Sequence, residues 1–162
     1  MGVADINESV QYLTFELADE VFALDVAKVR EILELTTITK VPQTPEFMTG
    51  VINLRGSVVP VVDMKLKFGM SMTVQTVNTC IIVVEVLMDG ENIVLGALAD
   101  SVQEVIEKEP SQIEAAPHIG THLKTEFLKG MGKYNEHFVM ILDIDKVFSG
   151  EELAAVSGQD SA

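Results

Sequence analysis

A chain of 162 residues, 48% of them apolar, is long enough to bury a core, as one domain or two small barrels, and too apolar to be disordered. Its 25 acidic residues against 11 basic ones leave a net charge of −14, which repels nucleic acid and anionic membrane and favours a partner with basic groups. No basic, apolar leader opens the sequence, no stretch of about 18 uncharged apolar residues is present to span a membrane, and the single cysteine, Cys80, excludes an internal disulfide, as in a reducing cytosol.

Residues 1–9 are polar and expected to be loose. Over 11–17 the sequence alternates, with Leu13, Phe15 and Leu17 on one face and Thr14 and Glu16 on the other, which predicts a half-buried strand. Ala18, Asp19 and Glu20 turn the chain, and 21–24 returns as a second strand. Asp25 then stands where it can cap a short helix whose apolar residues, Val26, Val29, Ile32 and Leu33, follow helical spacing. Residues 36–41 are rich in β-branched side chains and predict a strand that Pro42 and Pro45 end.

The stretch 50–63 reads as two apolar strands across a four-residue break, Asn53-Leu54-Arg55-Gly56, with Asn53 and Gly56 placed as hairpin chemistry favours. Arg55 puts one fixed positive charge at the tip. Pro60 cannot donate to a ladder, so the second of these strands is expected at an edge or a bulge. A helical turn over 64–68 stops at Gly69, and 71–78 is a polar connector and the expected boundary. Beyond it, 80–87 predicts a strand, Asp89-Gly90 a hairpin turn and 93–99 the return, in which Gly96 marks a bulge or a close approach to the backbone. Cys80 falls in an apolar run, as a buried, inert thiol does. The last strand covers 138–142, Asp143 caps a turn, and a short helix over 151–156 precedes a fraying tail.

The chain repeats itself. Shifted by 80 positions, Glu46-Phe47-Met48-Thr49-Gly50 falls on Glu126-Phe127-Leu128-Lys129-Gly130. In the same register Val59 falls on Val139, Asp63 on Asp143 and Phe68 on Phe148, with Val58, Val61, Val62 and Met64 on Phe138, Ile141, Leu142 and Ile144. Earlier, Val29-Arg30-Glu31-Ile32 is echoed by Val102-Gln103-Glu104-Val105 at a shift of 73, so the second copy carries seven extra residues around 110–124. The pattern predicts two copies of one small β unit with matching strands and turns. The scaffold positions match and the tips do not: Asn53-Leu54-Arg55-Gly56 faces Lys133-Tyr134-Asn135-Glu136. A specialised function therefore belongs at the tip. Many short strands and few helices predict a mainly β fold of two small barrels, at 10–70 and 78–148, with 149–162 a short helix and loose tail.

Chemistry is sparse. His118 and His122 stand four apart, but Pro117 and Gly120 argue against a helix and no cysteine is near, so no metal site is expected. Gly130-Met131-Gly132 lacks the rest of a phosphate loop, no serine sits in a nucleophile elbow, and no cofactor motif is found. The residues point to a binding module rather than an enzyme, with no catalytic residue and no cofactor.

Gly50-Val51-Ile52-Asn53-Leu54-Arg55-Gly56 followed by Val59-Pro60-Val61-Val62-Asp63 resembles the signature of the CheW family of chemotaxis coupling proteins. The resemblance runs from about Gln11 to Val156 and takes in Asp25-Val26-Ala27-Lys28-Val29-Arg30-Glu31-Ile32 and Gly96-Ala97-Leu98-Ala99-Asp100-Ser101-Val102. It implies two five-stranded, SH3-like barrels sharing a hydrophobic seam. It implies a non-catalytic, cytoplasmic adaptor at receptor arrays of the inner membrane, coupling the helical-hairpin tip of a chemoreceptor to the regulatory domain of the histidine kinase CheA. The alternatives are a CheW-like regulatory domain of another kinase pathway and a small β-barrel binding protein outside chemotaxis.

Carried to matching positions, the receptor groove takes in Val29, Glu31, Ile32, Asn53, Leu54, Arg55, Gly56, Ile81, Ala97 and Val102. Val29, Ile32, Ile81 and Val102 read equally well as plain core. An ion pair is expected between Glu31 and Arg55, because the groove sets their elements side by side. For the kinase, the resemblance implies one contact on the first barrel and another at His118 and Ile119, where related chains commonly carry phenylalanine in place of Ile119.

Overall fold

The computed structural model describes residues 9–115 and 125–157. Among them the alternating and β-branched runs form eleven strands: β1 (Val10–Leu17), β2 (Glu20–Asp25), β3 (Val29–Glu34), β4 (Met48–Leu54), β5 (Ser57–Val62), β6 (Cys80–Met88), β7 (Glu91–Ala99), β8 (Ser101–Lys108), β9 (Ile113–Glu114), β10 (Leu128–Tyr134) and β11 (His137–Leu142). Three short helices follow strands or close the chain: α1 (Met64–Lys67), α2 (Ile144–Val147) and α3 (Gly150–Ser157). The strands make two sheets, ordered β8-β1-β2-β11-β10-β9 and β3-β6-β7-β5-β4. The fold is mainly β, as expected.

The repeat is written into the backbone. β4 and β10, β5 and β11, and α1 and α2 begin and end 80 residues apart. The β4–β5 register slips between Met48 and Gly50, and the β10–β11 register slips between Leu128 and Gly130. Asp63 and Asp143 donate their N–H groups to the carbonyls of Phe47 and Phe127, each at 2.7 Å.

The two units are interlaced, which corrects the division at 10–70 and 78–148. The β1–β2 hairpin lies in the sheet of β8, β10 and β11, and the β6–β7 hairpin lies with β3, β4 and β5. Each copy has lent its first hairpin to the other. The pleat explains why both hairpins are so apolar. In β6, Ile81 and Val83 point into one barrel, while Cys80, Ile82, Val84 and Val86 point into the seam between barrels. In β1, Tyr12 serves the other barrel, while Leu13, Phe15 and Leu17 serve the seam. A strand buried on both faces loses its polar alternation.

The seam is the main core. Its aromatic contacts cross between copies in reciprocal fashion: Phe47 packs on Phe148 at 5.3 Å and Phe68 on Phe127 at 5.8 Å between ring centroids. Since Phe127 and Phe148 are the repeat partners of Phe47 and Phe68, the contacts obey an approximate two-fold axis, as in an isologous interface. Lys67 lies over both Phe47 and Phe127, at 5.8 and 5.7 Å, and its Nζ meets Glu152 of α3 at 2.5 Å. Burial pushes the Glu152 carboxyl up, but the bond from Lys67 and bonds from Ser149 outweigh it and leave it below the usual carboxylate range. Leu153 and Val156 of α3 are buried in the same core, so the last helix straps the seam.

Three local expectations are corrected. Residues 26–33 are not a helix: Asp25 does accept the N–H of Ala27 at 2.8 Å, but the 3-10 turn it caps ends at Lys28 and the chain continues as β3, paired to β6. Cross-strand pairing there outweighs a helical period that a four-residue apolar set cannot enforce. Residues 36–41 make only an isolated bridge, Thr39 to Val51. Pro60 lies in β5 between β7 and β4, not at an edge. Its partner Val51 turns both backbone groups to Thr39, so this is a non-hydrogen-bonded position, and the β7 ladder begins one residue later at Val61. The missing donor is never asked for.

Candidate functional site

The β4–β5 hairpin closes on a two-residue turn with φ of +52° at Arg55 and +87° at Gly56, the signs of a type I′ turn. Asn53 Oδ1 accepts the Gly56 N–H at 2.8 Å and holds the turn from one side. Glycine and asparagine suit positive φ; arginine there is uncommon. Its side chain meets Glu31 of β3 in a fork, Nη1 to Oε2 and Nη2 to Oε1, both at 2.8 Å. The expected ion pair is present. The bond from Arg55 holds the Glu31 carboxyl below its usual range, and Glu31 in turn raises the guanidinium. Arg55 remains 71% exposed at the side chain, so the pair presents its charge outward rather than hiding it.

The other expected site residues fall in three places. Glu31, Ile32, Asn53, Leu54, Arg55 and Gly56 gather at the tip, with Ile32 exposed beside Glu31 and Leu54 half-buried against the barrel interior. Val29 and Val102 are half-buried on the seam, and a backbone hydrogen bond from Val102 reaches the Cys80 thiol, linking β8 to β6 across it. Burial pushes that thiol up, so it stays protonated and inert, with the bond from Val102 opposing only in part. Ile81 and Ala97 are 0% and 1% exposed. They are walls of the barrel interior and the seam and offer no surface to a partner. His118 and Ile119 lie outside the described residues.

The opposite barrel repeats the arrangement with different chemistry. The hairpin Lys133-Tyr134-Asn135-Glu136 also turns through positive φ, +47° at Asn135 and +66° at Glu136. Glu104, the repeat partner of Glu31, accepts the hydroxyl of Tyr134, and this bond raises the phenol above its usual range. So in each barrel a strand carboxylate braces a hairpin tip, by a guanidinium in one and a phenol in the other.

Sequence reading missed three exposed apolar residues. Val58, 73% exposed, lies opposite Asn53; Phe138 and Val105, 50% and 49% exposed, take the places of Val58 and Ile32 in the other barrel. The signal was parity. Val59 and Val61 face a barrel interior, so Val58 must face out. Among the described residues no cluster of His, Cys, Asp and Glu could hold a metal ion, and no helix is long and apolar enough to cross a membrane.

Comparison with known proteins places this geometry. A sequence profile of the CheW-like domain matches residues 11–152. The chemotaxis protein CheW of Klebsiella aerogenes is 37% identical over 146 residues, covering 90% of this chain and 86% of that one. The chemotaxis protein CheW of Rhizobium meliloti is 32% identical over 149 residues, covering 92% and 94%. Among solved structures, the scaffolding protein TtCheW from Thermoanaerobacter tengcongensis superposes with a TM-score of 0.78 at 34% identity, covering 90% of this chain and 91% of that one.

Proposed function

The chain belongs to the CheW-like family, and from that premise we propose that it is a chemotaxis scaffold that holds a chemoreceptor tip and the regulatory domain of the kinase CheA at once. The observation that carries the reading is the braced tip: an arginine at positive φ, forked onto Glu31 yet mostly exposed, at the hairpin where the matched strands of the two copies differ most. Strain at an exposed, charged position fits recognition better than stability. Glu31, Ile32, Asn53, Leu54, Arg55 and Gly56 form the receptor face, with Val29 and Val102 at the seam beside it. An amphipathic helix laid there meets an apolar strip with a charged rim to set its register.

The kinase face is separate. Val105 and Phe138 supply exposed apolar area on the other barrel, and the family resemblance adds His118 and Ile119, which lie outside the described residues. No step in this role is catalytic; the chain acts by where it holds its partners, in the cytoplasm at the receptor array. The test is sedimentation of the purified chain with a soluble receptor-tip fragment and the kinase regulatory domain, singly and together. A three-component complex is expected. Binding of either partner that displaces the other would overturn the two-face reading.

A further inference from the structure

Besides the Lys67–Glu152 pair, two further ion pairs stand where the barrels meet, and neither belongs to the tip. Lys28, in the 3-10 turn just before β3, reaches Asp145 of α2 at 2.7 Å. The second oxygen of Asp145 accepts the N–H of Leu87, near the end of β6, at 2.8 Å. One carboxylate from the barrel of β10 and β11 therefore grips the barrel of β3 and β6 at two points. On the other side, Lys65 of α1 meets both oxygens of Asp100 at 3.2 and 3.0 Å, and Asp100 accepts the N–H of Ala18 in the β1–β2 turn at 2.8 Å. Lys65 and Asp145 are 80 residues apart. The same place in the repeat thus carries a cation in one copy and an anion in the other, and each finds its opposite on a turn where the chain passes from one sheet to the other.

The geometry is that of a pair of clamps. Both carboxylates also accept a backbone N–H, which fixes their direction as well as their distance. The side chains are 28% and 29% exposed in the Lys28–Asp145 pair and 10% and 27% in the Lys65–Asp100 pair, so solvent screens them less than it screens Arg55. Lys28 directly precedes Val29, and β3 carries Glu31 two residues further on. A movement of α2 against β6 would be felt at the root of the strand that braces the tip.

We propose that the crossed clamps set the relative orientation of the two barrels, and that Asp145 is a positioning residue that ties the strand carrying Glu31 and Ile32 to the opposite barrel. The first arm of the test needs no partner. Nitroxide labels at Glu107→Cys on β8 and Glu91→Cys on β7, both exposed sites, in a Cys80→Ala background, report the distance between barrels by pulsed electron resonance. Asp145→Asn keeps an oxygen for the Leu87 N–H but loses the ion pair, and Lys28→Met removes the same pair from the other side should the first variant fold poorly. Either is expected to broaden the distance distribution, their combination no further, and Lys65→Met to broaden it again; Lys28→Arg should restore it. A wild-type distribution in all of these would overturn the proposal. The second arm rests on the receptor reading given above. Asp145→Asn should weaken binding of the receptor-tip fragment about fivefold or more, the lower range of measured site-to-site couplings, with circular dichroism unchanged. A broadened distribution with unchanged tip affinity would overturn the positioning role. A wild-type chain that binds no tip would sink the receptor reading instead, and the first arm would still decide the clamps.

Discussion

Arg55→Asn separates recognition from stability. The turn needs positive φ at this position, and asparagine, which the second hairpin uses at the same place in Asn135, tolerates that conformation better than arginine. The variant loses two 2.8 Å contacts to Glu31, but they join an arginine that is 71% exposed, where solvent and salt screen an ion pair heavily. Relief of the backbone strain opposes that loss. The melting temperature should therefore stay within about 3 °C of wild type, and rise rather than fall. Binding should behave differently. If Arg55 is desolvated against the receptor, its removal weakens affinity about 30-fold or more, whereas a rim charge would show mainly in association rate. The assay is paired titration with receptor tip and with kinase regulatory domain, alongside thermal melts. Carbon-detected titration of Glu31 gives an internal check. Its folded-state pKa is depressed by Arg55, so the brace is intact above the ordinary carboxylate range and is lost as pH falls through the depressed value. In the variant that depression should vanish. A melting temperature that collapses would show the arginine to be structural, and equal loss toward both partners would refute the separation of faces.

The remaining expectations concern the scaffold. Gly50→Ala and Gly130→Ala should each destabilise by about 1–3 kcal/mol or more in urea titrations, because an added Cβ at either runs into the backbone of the neighbouring segment, at Thr39 and at Glu114; a neutral result at both would mean those approaches are looser than described. Val105→Glu or Phe138→Glu should leave the urea midpoint near wild type, since both side chains are about half exposed, while weakening the kinase domain about fivefold or more and sparing the receptor tip. The opposite preference would exchange the two faces. A fragment of residues 1–75 should lack a cooperative melt and regain one on mixing with 76–162, because its β1–β2 hairpin finds its sheet only in the second half; a fragment that melts cooperatively alone would contradict the interlacing.

What the sequence made legible was local chemistry and its repetition. Asn53 and Gly56 bracket a turn by themselves, whereas the pairing of Arg55 with Glu31 follows from the family resemblance, whose groove sets their elements side by side. The duplication was visible because seam positions such as Phe47, Phe127, Phe68 and Phe148 are fixed by packing on each other. The strand β3 was hidden because its inward positions are Val29, Glu31 and Leu33. A carboxylate in the middle breaks the apolar alternation, and the remaining Val26, Val29, Ile32 and Leu33 mimic a helix. Only the partner guanidinium, far along the chain, explains an inward-leaning Glu31. The resemblance carries Ile81 and Ala97 into a receptor groove, and a strand buried on both faces gives no parity signal in the sequence to weigh against it. The interlacing was beyond reach for a related reason: nothing in the pattern of a hairpin says which of two nearly equal sheets it will join.

That exchange of hairpins bears on how such a chain would hold the two partners proposed for it. Two tandem barrels joined by a linker would move independently, and a partner bound to one would say little to the other. Here each barrel contains strands from both copies, so neither can tilt far without disturbing its own sheet. The seam with its crossed phenylalanines supplies the cohesion, and both copies contribute to it alike. The tips lie outside that constraint. They can diverge, to an arginine forked on Glu31 in one barrel and a tyrosine on Glu104 in the other, without loss of core. A duplicated fold thereby yields one body with two unlike ends. The topology limits movement between those ends, the crossed clamps proposed above act within that limit, and the exposed residues at the tips are ones that the core does not need.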